Sequence, residues 1–320
     1  MKHLIPFTEQ NIKEHVTPRA GEVKIGEAIS LLESNLEQTD GKFVIIGIPE
    51  SIGARANYGN GGAENSWAAF LGKFLNMQTN GFINAKEIIL AGEIELTDLT
   101  TNSSDIEELR LTVEEIDKRV QSVIETVLKA EKTPIVIGGG HNNCFPIINA
   151  FPSPIQVVNI DPHADIRKQE GRHSGNGFSY ALESGKLEKY FTLGLHEEYN
   201  SNFILEQFNY NEFIDYYSFN DFLKYELTIK DLINSVNSHL DSEKIGLEID
   251  LDSIKNMPVS AKTPIGFSEE EVRKIGFQLS MNYDFHYIHI CEGAPTNETE
   301  NTIVGKTIAY LVSDFIKFNS

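Results

Sequence analysis

The chain has 320 residues and a formal charge of −20, from 27 lysines and arginines against 47 aspartates and glutamates. This charge repels phosphate backbones and anionic lipid surfaces, so we expect neither nucleic acid nor a membrane as a partner. No apolar run approaches the ~20 residues of a membrane-spanning helix, and the first residues lack the apolar segment of a signal peptide. We therefore expect a cytoplasmic protein. Its two cysteines, Cys144 and Cys291, give neither a disulfide framework nor a Cys-x-x-Cys zinc site.

The chain alternates between strand and helix patterns. Residues 1–40 predict an N-terminal arm and one helix, which the apolar spacing extends from Ile25 to Leu32. Short apolar runs then predict eight buried strands, near residues 43–49, 87–91, 134–137, 157–160, 191–195, 213–217, 245–249 and 286–291. Helical patterns follow at 105–129, 228–240, 269–281 and 303–317, and two of them begin with a capping box, Ser104/Glu107 and Ser268/Glu271.

This alternation predicts an α/β fold with a mostly parallel sheet of about eight strands, covered by helices on both faces in three layers, α/β/α. No repeat, low-complexity tract or linker divides the chain. We therefore expect one domain over residues 1–320.

The run from Val157 to Ile166 carries the clearest chemical signal. Its apolar first half is a strand, and its second half places Asp161, His163 and Asp165 two residues apart where that strand ends. Three side chains that bind metals thus converge at the carboxyl end of a strand, where open α/β sheets hold their ligands.

Two further strand ends carry the same kinds of residue. Asp250 and Asp252 follow the strand near 245–249, and His141 follows three glycines after the strand near 134–137. The six candidate ligands exceed what one ion in an open site uses, and their four carboxylates match the charge of two divalent cations. A carboxylate-rich site without thiolate suits Mn²⁺, with Zn²⁺, Fe²⁺ or Co²⁺ as alternatives. Paired metal ions of this kind predict a hydrolase.

These motifs resemble the ureohydrolases, the family of arginase, agmatinase and formimidoylglutamase. The resemblance rests on Gly138-Gly139-Gly140-His141, Asp161-x-His163-x-Asp165, Asp250-x-Asp252 and Glu292-Gly293-Ala294-Pro295, together with Gly47-Ile48-Pro49. It implies an arginase-like fold, two Mn²⁺ ions per chain bound by the six candidate ligands, and a homo-oligomer. It also implies that Glu292 grips the amidine or guanidinium nitrogens of the substrate.

Departures from the family pattern favour the formimidoylglutamase branch, whose reaction belongs to histidine catabolism. Gly140 and Lys255 stand where arginases and agmatinases usually have aspartate, and the loop His173-Ser174-Gly175-Asn176-Gly177-Phe178 lacks their later histidine. The form His-Ser-Gly-x-x-Phe resembles formimidoylglutamases, as does Arg55-x-Asn57.

That branch implies that a hydroxide bridging the two ions attacks N-formimidoyl-L-glutamate and releases formamide and L-glutamate. The two substrate carboxylates would need cations, for which Arg55, Arg167 and Arg172 are the candidates because guanidinium binds carboxylate bidentately. Asn57, Ser174 and Asn176 are expected to contact the substrate as well, and His173 is the candidate proton carrier.

Three alternatives stay open. An arginase or agmatinase would hydrolyse a guanidinium and release urea, so product analysis separates it from an amidine hydrolase. A deacetylase of the same fold would bind a single zinc ion and use fewer ligands. A non-catalytic homologue would bind metal or an amidine without turnover.

Overall fold

Strands and helices alternate along almost the whole chain in the computed structural model, which describes residues 1–32, 35–241 and 244–319. The strands are β1 (Leu4–Pro6), β2 (Ser30–Leu31), β3 (Phe43–Gly47), β4 (Ile88–Ile94), β5 (Thr133–Ile137), β6 (Ile155–Ile160), β7 (Leu187–Leu195), β8 (Ile214–Ser218), β9 (Ile245–Asp250) and β10 (Phe285–Cys291). The helices are α1 (Glu9–His15), α2 (Ile25–Ala28), α3 (Ile52–Ala56), α4 (Ser66–Phe74), α5 (Ile106–Lys129), α6 (Cys144–Asn149), α7 (Gly177–Glu183), α8 (Asn202–Tyr210), α9 (Phe219–Lys224), α10 (Ile229–His239), α11 (Glu269–Ser280) and α12 (Glu298–Asn319).

All of these strands join one ten-stranded sheet, in the order β1-β4-β3-β5-β10-β9-β6-β7-β8, with β2 beside β4. The pairs are parallel except for β1, which runs antiparallel to β4 at the edge. Strands β3 to β10 are the eight that the sequence predicts. The mostly parallel architecture is therefore confirmed, with two short strands added by the N-terminal segment.

Helices cover both faces of the sheet, which confirms the three-layer α/β/α prediction. Along β3, Phe43 and Ile45 pack into one apolar core, while Val44 and Ile46 pack into the other. The first core contains residues of α4, α9, α10, α11 and α12, and the second contains residues of α5, α6, α7 and α8. Both faces of the central strands are thus withdrawn from water, as parallel sheets require.

The N-terminal 40 residues differ from their prediction. The expected helix from Ile25 to Leu32 is wrong, because α2 ends at Ala28 and Ser30–Leu31 then pairs with β4. The chain also forms β1 and α1 before that point. Of the capping boxes, the Ser268/Glu271 pair is confirmed, whereas Asp105 rather than Ser104 caps α5 and accepts hydrogen bonds from the amides of Glu107 and Glu108.

No helix among the described residues is long and apolar enough to cross a membrane.

Candidate metal centre and adjoining cavity

Four adjacent strands, β5, β10, β9 and β6, bring their carboxyl ends to one edge of the sheet. Beyond these ends lie His141, Glu292, the pair Asp250/Asp252, and the triplet that begins at Asp161. Gly139 lets the chain after β5 turn sharply, with a φ of 74°, and a Cβ there would lie 2.5 Å from the side-chain nitrogen Nδ2 of Asn143. Topology thus gathers side chains that are up to 151 positions apart in sequence.

The buried His141 imidazole is the centre of the cluster. Its Nδ1 lies 2.9 Å from Asp161 Oδ2, 3.1 Å from Asp165 Oδ2 and 3.2 Å from Asp250 Oδ2. One ligand atom from each of these four residues lies within 4.8 Å of all the others. Asp165 reaches this position from a left-handed backbone conformation, with a φ of 50°.

His163 and Asp252 lie on the other side of Asp161 and Asp250. His163 Nδ1 is 3.5 Å from Asp161 Oδ1 and 3.9 Å from Asp252 Oδ2. The backbone orients both aspartates, because the His163 amide donates to Asp161 Oδ1 and the Asp252 amide donates to Asp250 Oδ1, each at 2.7 Å. All six residues that the sequence singled out as metal ligands therefore lie together.

The charges of the cluster are unbalanced without a cation. Burial and the neighbouring carboxylates raise the pKa of Asp250 well above its usual range and the pKa of Asp252 to about 7, despite the opposing effect of His163. Burial would lower the pKa of His163, but the hydrogen bond to Asp161 and the charges of Asp161 and Asp252 raise it to about 10. Divalent cations would replace the protons that this cluster otherwise takes up.

Unpartnered polar atoms show that the residues fit a metal. Both ring nitrogens of His141 and Asp252 Oδ1 are buried without a hydrogen-bond partner among the described residues. Buried polar atoms normally have hydrogen-bond partners, so the lack of partners here favours a bound metal ion at this position. Imidazole nitrogen and carboxylate oxygen are donors that suit Mn²⁺. Cys291 also lies within reach of His141 and Asp250, and its thiol is buried.

A buried polar network behind His141 escaped the sequence analysis. Glu248 Oε1 accepts a hydrogen bond from the Tyr287 hydroxyl at 2.8 Å, and its Oε2 lies 2.6 Å from His289 Nδ1 and 3.5 Å from His141 Nε2. His289 Nε2 faces the Gly138 carbonyl, which can only accept, so this nitrogen carries a hydrogen. At 3.5 Å, Glu248 is an ion-pair neighbour of His141 Nε2 and not a hydrogen-bond partner, and it lies where carboxylates orient metal-binding histidines. Strand alternation could have identified Glu248, because it lies on the same face of its strand as the predicted metal ligand Asp250.

Glu292 borders the cluster from the end of β10. The His141 amide donates to its Oε1 at 2.7 Å, the Ser260 hydroxyl lies 3.4 Å from its Oε2, and its φ is 64°. Burial and the charge of Asp252 raise the pKa of Glu292 to about 8. Its carboxylate faces a cavity of about 130 Å³ that also touches Asp250 and Asp252.

Of the six residues predicted to contact the substrate, three line this cavity. They are Asn57, Arg167 and Ser174, and the Asn57 amide donates to the Ser174 hydroxyl at 3.3 Å. The structure does not bring Arg55 there. Its guanidinium instead donates to the backbone carbonyls of Thr101, at 2.7 Å, and Ser103.

Arg172 and Asn176 face the protein interior instead of the cavity. Arg172 is 2% exposed, forms an ion pair with Asp117 at 2.8 Å, and donates to Asn176 Oδ1 and to the Asn142 carbonyl at 2.8 Å each. The rings of Phe145 and Tyr180 lie 4.8 Å from its guanidinium carbon. These contacts hold the Arg172 side chain in the interior, and Arg172 is not among the residues that line the cavity.

His173, the predicted proton carrier, is also buried away from the cavity. Its Nδ1 accepts a hydrogen bond from the Gly175 amide at 3.1 Å. Burial and the charges of Arg110 and Arg172 lower the pKa of His173 to about 3, so the ring is neutral at physiological pH. A proton carrier works best with a pKa near the operating pH. The geometry therefore does not support that role.

Other cavity residues were missed because they lie in loops without a recognisable motif. Tyr199 and Asn200 follow β7, and Ser260 follows β9. Asn200 fixes the metal-ligand loop, since its Oδ1 accepts from the Ala164 amide at 3.1 Å and its Nδ2 donates to the Pro162 carbonyl at 3.0 Å.

The two departures from the arginase pattern have different settings. A Cβ at Gly140 would lie 2.6 Å from Asn142 Oδ1 and 3.2 Å from Glu292 Oε1, so an aspartate there would crowd Glu292. Lys255 is exposed and does not line the cavity. Neither departure removes a member of the cluster.

The sequence matches the arginase family over residues 42–316. The formimidoylglutamase of Streptococcus pyogenes serotype M28 is 24% identical over 311 residues, which cover 91% of this chain and 90% of that protein. Several solved structures share the fold. The Mn²⁺-containing formiminoglutamase of Trypanosoma cruzi has a TM-score of 0.73 at 22% identity, covering 93% of this chain and 98% of that one. The formimidoylglutamase of Bacillus subtilis has a TM-score of 0.76 at 16% identity, covering 95% and 94%.

Proposed function

Because this chain belongs to the arginase family, we propose that its cluster of His and Asp side chains makes it a manganese-dependent hydrolase of the formimidoylglutamase type. The reaction is N-formimidoyl-L-glutamate plus water to L-glutamate plus formamide. The bond between the formimidoyl carbon and the glutamate nitrogen breaks, and the water oxygen becomes the formamide oxygen. Starting from the amidinium, both protons of the water end on the glutamate nitrogen, which leaves as the ammonium group, while the other amidinium nitrogen stays in formamide. The observation that carries the proposal is the convergence of His141, Asp161, Asp165 and Asp250 beside the cavity that Glu292 borders.

We assign the two Mn²⁺ ions to the six clustered residues. His141, Asp161, Asp165 and Asp250 would hold one ion, and Asp161, His163, Asp250 and Asp252 would hold the other. Bound there, the metal pair would supply a nucleophile at neutral pH and an electrophile for the amidine. The preparation of the T. cruzi relative with Mn²⁺ supports this choice of metal.

The protein's own side chains orient the substrate. Glu292 places its carboxyl group at the cavity wall. Cations that offset the charge of Asp252 would leave this group ionised, so that it can accept hydrogen bonds from the amidinium nitrogens. Arg167 lines the same cavity and supplies the cation for a substrate carboxylate, while Asn57 and Ser174 offer neutral polar groups. We propose that Arg55 and Arg172 position loops instead of binding substrate. Arg55 donates to the Thr101 carbonyl, and Arg172 forms an ion pair with Asp117.

Three further parts of the proposal rest on the family to which the chain belongs. We place the protein in the cytoplasm, as a homo-oligomer, with residues 1–320 forming one arginase-like domain.

The test is an assay of the Mn²⁺-loaded protein with formimidoylglutamate, arginine and agmatine, in which formamide, glutamate, urea and ammonia are measured in the same samples. We expect formamide and glutamate in equal amounts from the first substrate and no urea from the others. Urea from arginine or agmatine would instead assign the chain to the guanidinium-hydrolysing branch. Metal binding without any product would support a non-catalytic homologue.

A further inference from the structure

A second cavity, of about 440 Å³, opens beside the cavity of about 130 Å³ at the metal cluster. We call the larger one the outer cavity and the smaller one the inner cavity. The two cavities share four lining residues, Arg167, Tyr199, Asn200 and Ile204. Five residues line only the outer one: Lys168, Glu170, Glu198, Ser201 and Phe203. A ligand that reacts at the metal cluster can therefore extend past Arg167 into the outer cavity.

The outer cavity contains two adjacent cations without carboxylate partners. Among the ion pairs of residues 1–32, 35–241 and 244–319, none involves Arg167 or Lys168. The two carboxylates of the same lining are bonded elsewhere: Glu170 forms an ion pair with Arg110 at 3.0 Å, and Glu198 accepts a hydrogen bond from the side-chain amide of Asn220 at 3.0 Å. In a chain of charge −20, two neighbouring cations that lack partners favour an anionic ligand.

Hydrogen bonds fix the backbone of both residues, and an aromatic ring contacts the Lys168 ammonium. The Arg167 amide donates to the Gly175 carbonyl at 3.0 Å, and the Lys168 carbonyl accepts from Asn176 Nδ2 at 3.2 Å. The Lys168 ammonium lies 5.0 Å from the centre of the Phe203 ring, within the range of a cation–π contact. This restraint lowers the entropic cost of binding an anion.

The proposed substrate has two carboxylates, one next to the reacting nitrogen and one at the end of its side chain. We propose that the outer cavity is a subsite for the side-chain carboxylate and that Lys168 is the cation that binds it. Arg167 also lines the inner cavity, so it takes the carboxylate nearer the reacting nitrogen. The inference rests on the proposed function and makes Lys168 a determinant of specificity for dicarboxylic substrates.

The test combines the variant Lys168→Met with two substrate analogues. N-formimidoyl-2-aminobutyrate lacks the side-chain carboxylate, and N-formimidoyl-4-aminobutyrate lacks the other one. With formimidoylglutamate and with the 4-aminobutyrate analogue, Lys168→Met should raise KM roughly two- to fivefold, the size of an exposed charge pair, without changing kcat. With the 2-aminobutyrate analogue the KM should stay the same. Lys168→Arg should restore most of the loss.

Lys274→Met is the matched control, because it removes the same charge from an exposed position on α11. Its KM values should equal those of the wild type. An unchanged KM in Lys168→Met, or an equal rise with all three substrates, would overturn the subsite.

Binding of the product separates this proposal from the proposed function. In calorimetry, L-glutamate should bind the wild type more tightly than Lys168→Met, whereas 2-aminobutyrate should not distinguish the two proteins. If formimidoylglutamate is not hydrolysed but this pattern holds, the proposed function fails and the subsite stands. If hydrolysis occurs and glutamate binds both proteins equally, only the subsite fails.

Discussion

The metal cluster and the loop of residues 167–177 lie side by side, yet their side chains are oriented by different forces. In the cluster, strand geometry directs Asp161 and Asp250 outward from the sheet edge. In the loop, hydrogen bonds to the protein interior determine the side-chain orientation. Arg172 and Asn176 therefore point inward, while Arg167 and Ser174 line the cavity. Polar residues next to the metal cluster thus either line the cavity or anchor the loop to the interior, and the residue type alone does not tell which.

Breaking the interior contacts of Arg172 should reduce the stability of the protein more than replacing His173 in the same loop. Arg172→Met leaves Asp117 buried without its cation and removes the donors to Asn176 and Asn142. Loss of one partner of a buried ion pair costs about 3 kcal/mol. Denaturant unfolding should therefore show a large loss of stability, and activity should fall because the Ser174 turn loses its anchor.

The control for this variant is Arg273→Met, which breaks a less buried pair with Asp314 (2.6 Å) and should cost about 1 kcal/mol or less. The double variant Asp117→Asn/Arg172→Met should recover part of the stability, because no charge is then left unpaired. If Arg172→Met raised KM alone and kept full stability, Arg172 would be a substrate contact after all.

Replacing His173 should have a smaller effect, confined to acid pH. A folded pKa of about 3 lies below the ordinary value of 6.5, so the unfolded chain binds the extra proton and the protein loses stability as the pH falls from about 6.5 towards 3. His173→Asn keeps an acceptor for the Gly175 amide and removes this titration. Its melting temperature should thus fall less between pH 7 and pH 4 than that of the wild type.

The same variant tests proton transfer. The rising limb of the kcat–pH profile should keep its midpoint in His173→Asn, since a neutral buried ring does not titrate there. Disappearance of a limb near pH 6 to 7 would restore His173 as the proton carrier.

These contrasts explain how much the sequence predicts. Eight strands follow from their short apolar runs, and five of the six clustered residues follow from alternation, because alternate side chains at strand ends point the same way. His141 follows instead from the three glycines that precede it at the end of a strand. The strands β1 and β2 are too short for any periodicity, and their pairing with β4 depends on the complete sheet. The role of Glu248 was missed because its partners His141 and His289 come from other strands. A carboxylate inside an apolar strand does not by itself indicate which groups it contacts.

Loop side chains were the least predictable part of the site. Arg167 and Arg172 are five positions apart and chemically identical, but one lines the cavity and the other pairs with Asp117 on α5. That partner lies 55 positions away in the sequence, so only the tertiary structure separates their roles.

The most direct test of the binuclear site is a count of bound manganese. Metal-free protein would be dialysed against Mn²⁺ and its metal content measured for the wild type, Asp161→Ala and the exposed control Asp241→Ala. Asp161 contacts both His141 and His163, so its loss should affect both ions. We predict two ions per chain in the wild type and in the control, and fewer than one in Asp161→Ala. Two ions retained in Asp161→Ala, or only one in the wild type, would contradict the binuclear assignment.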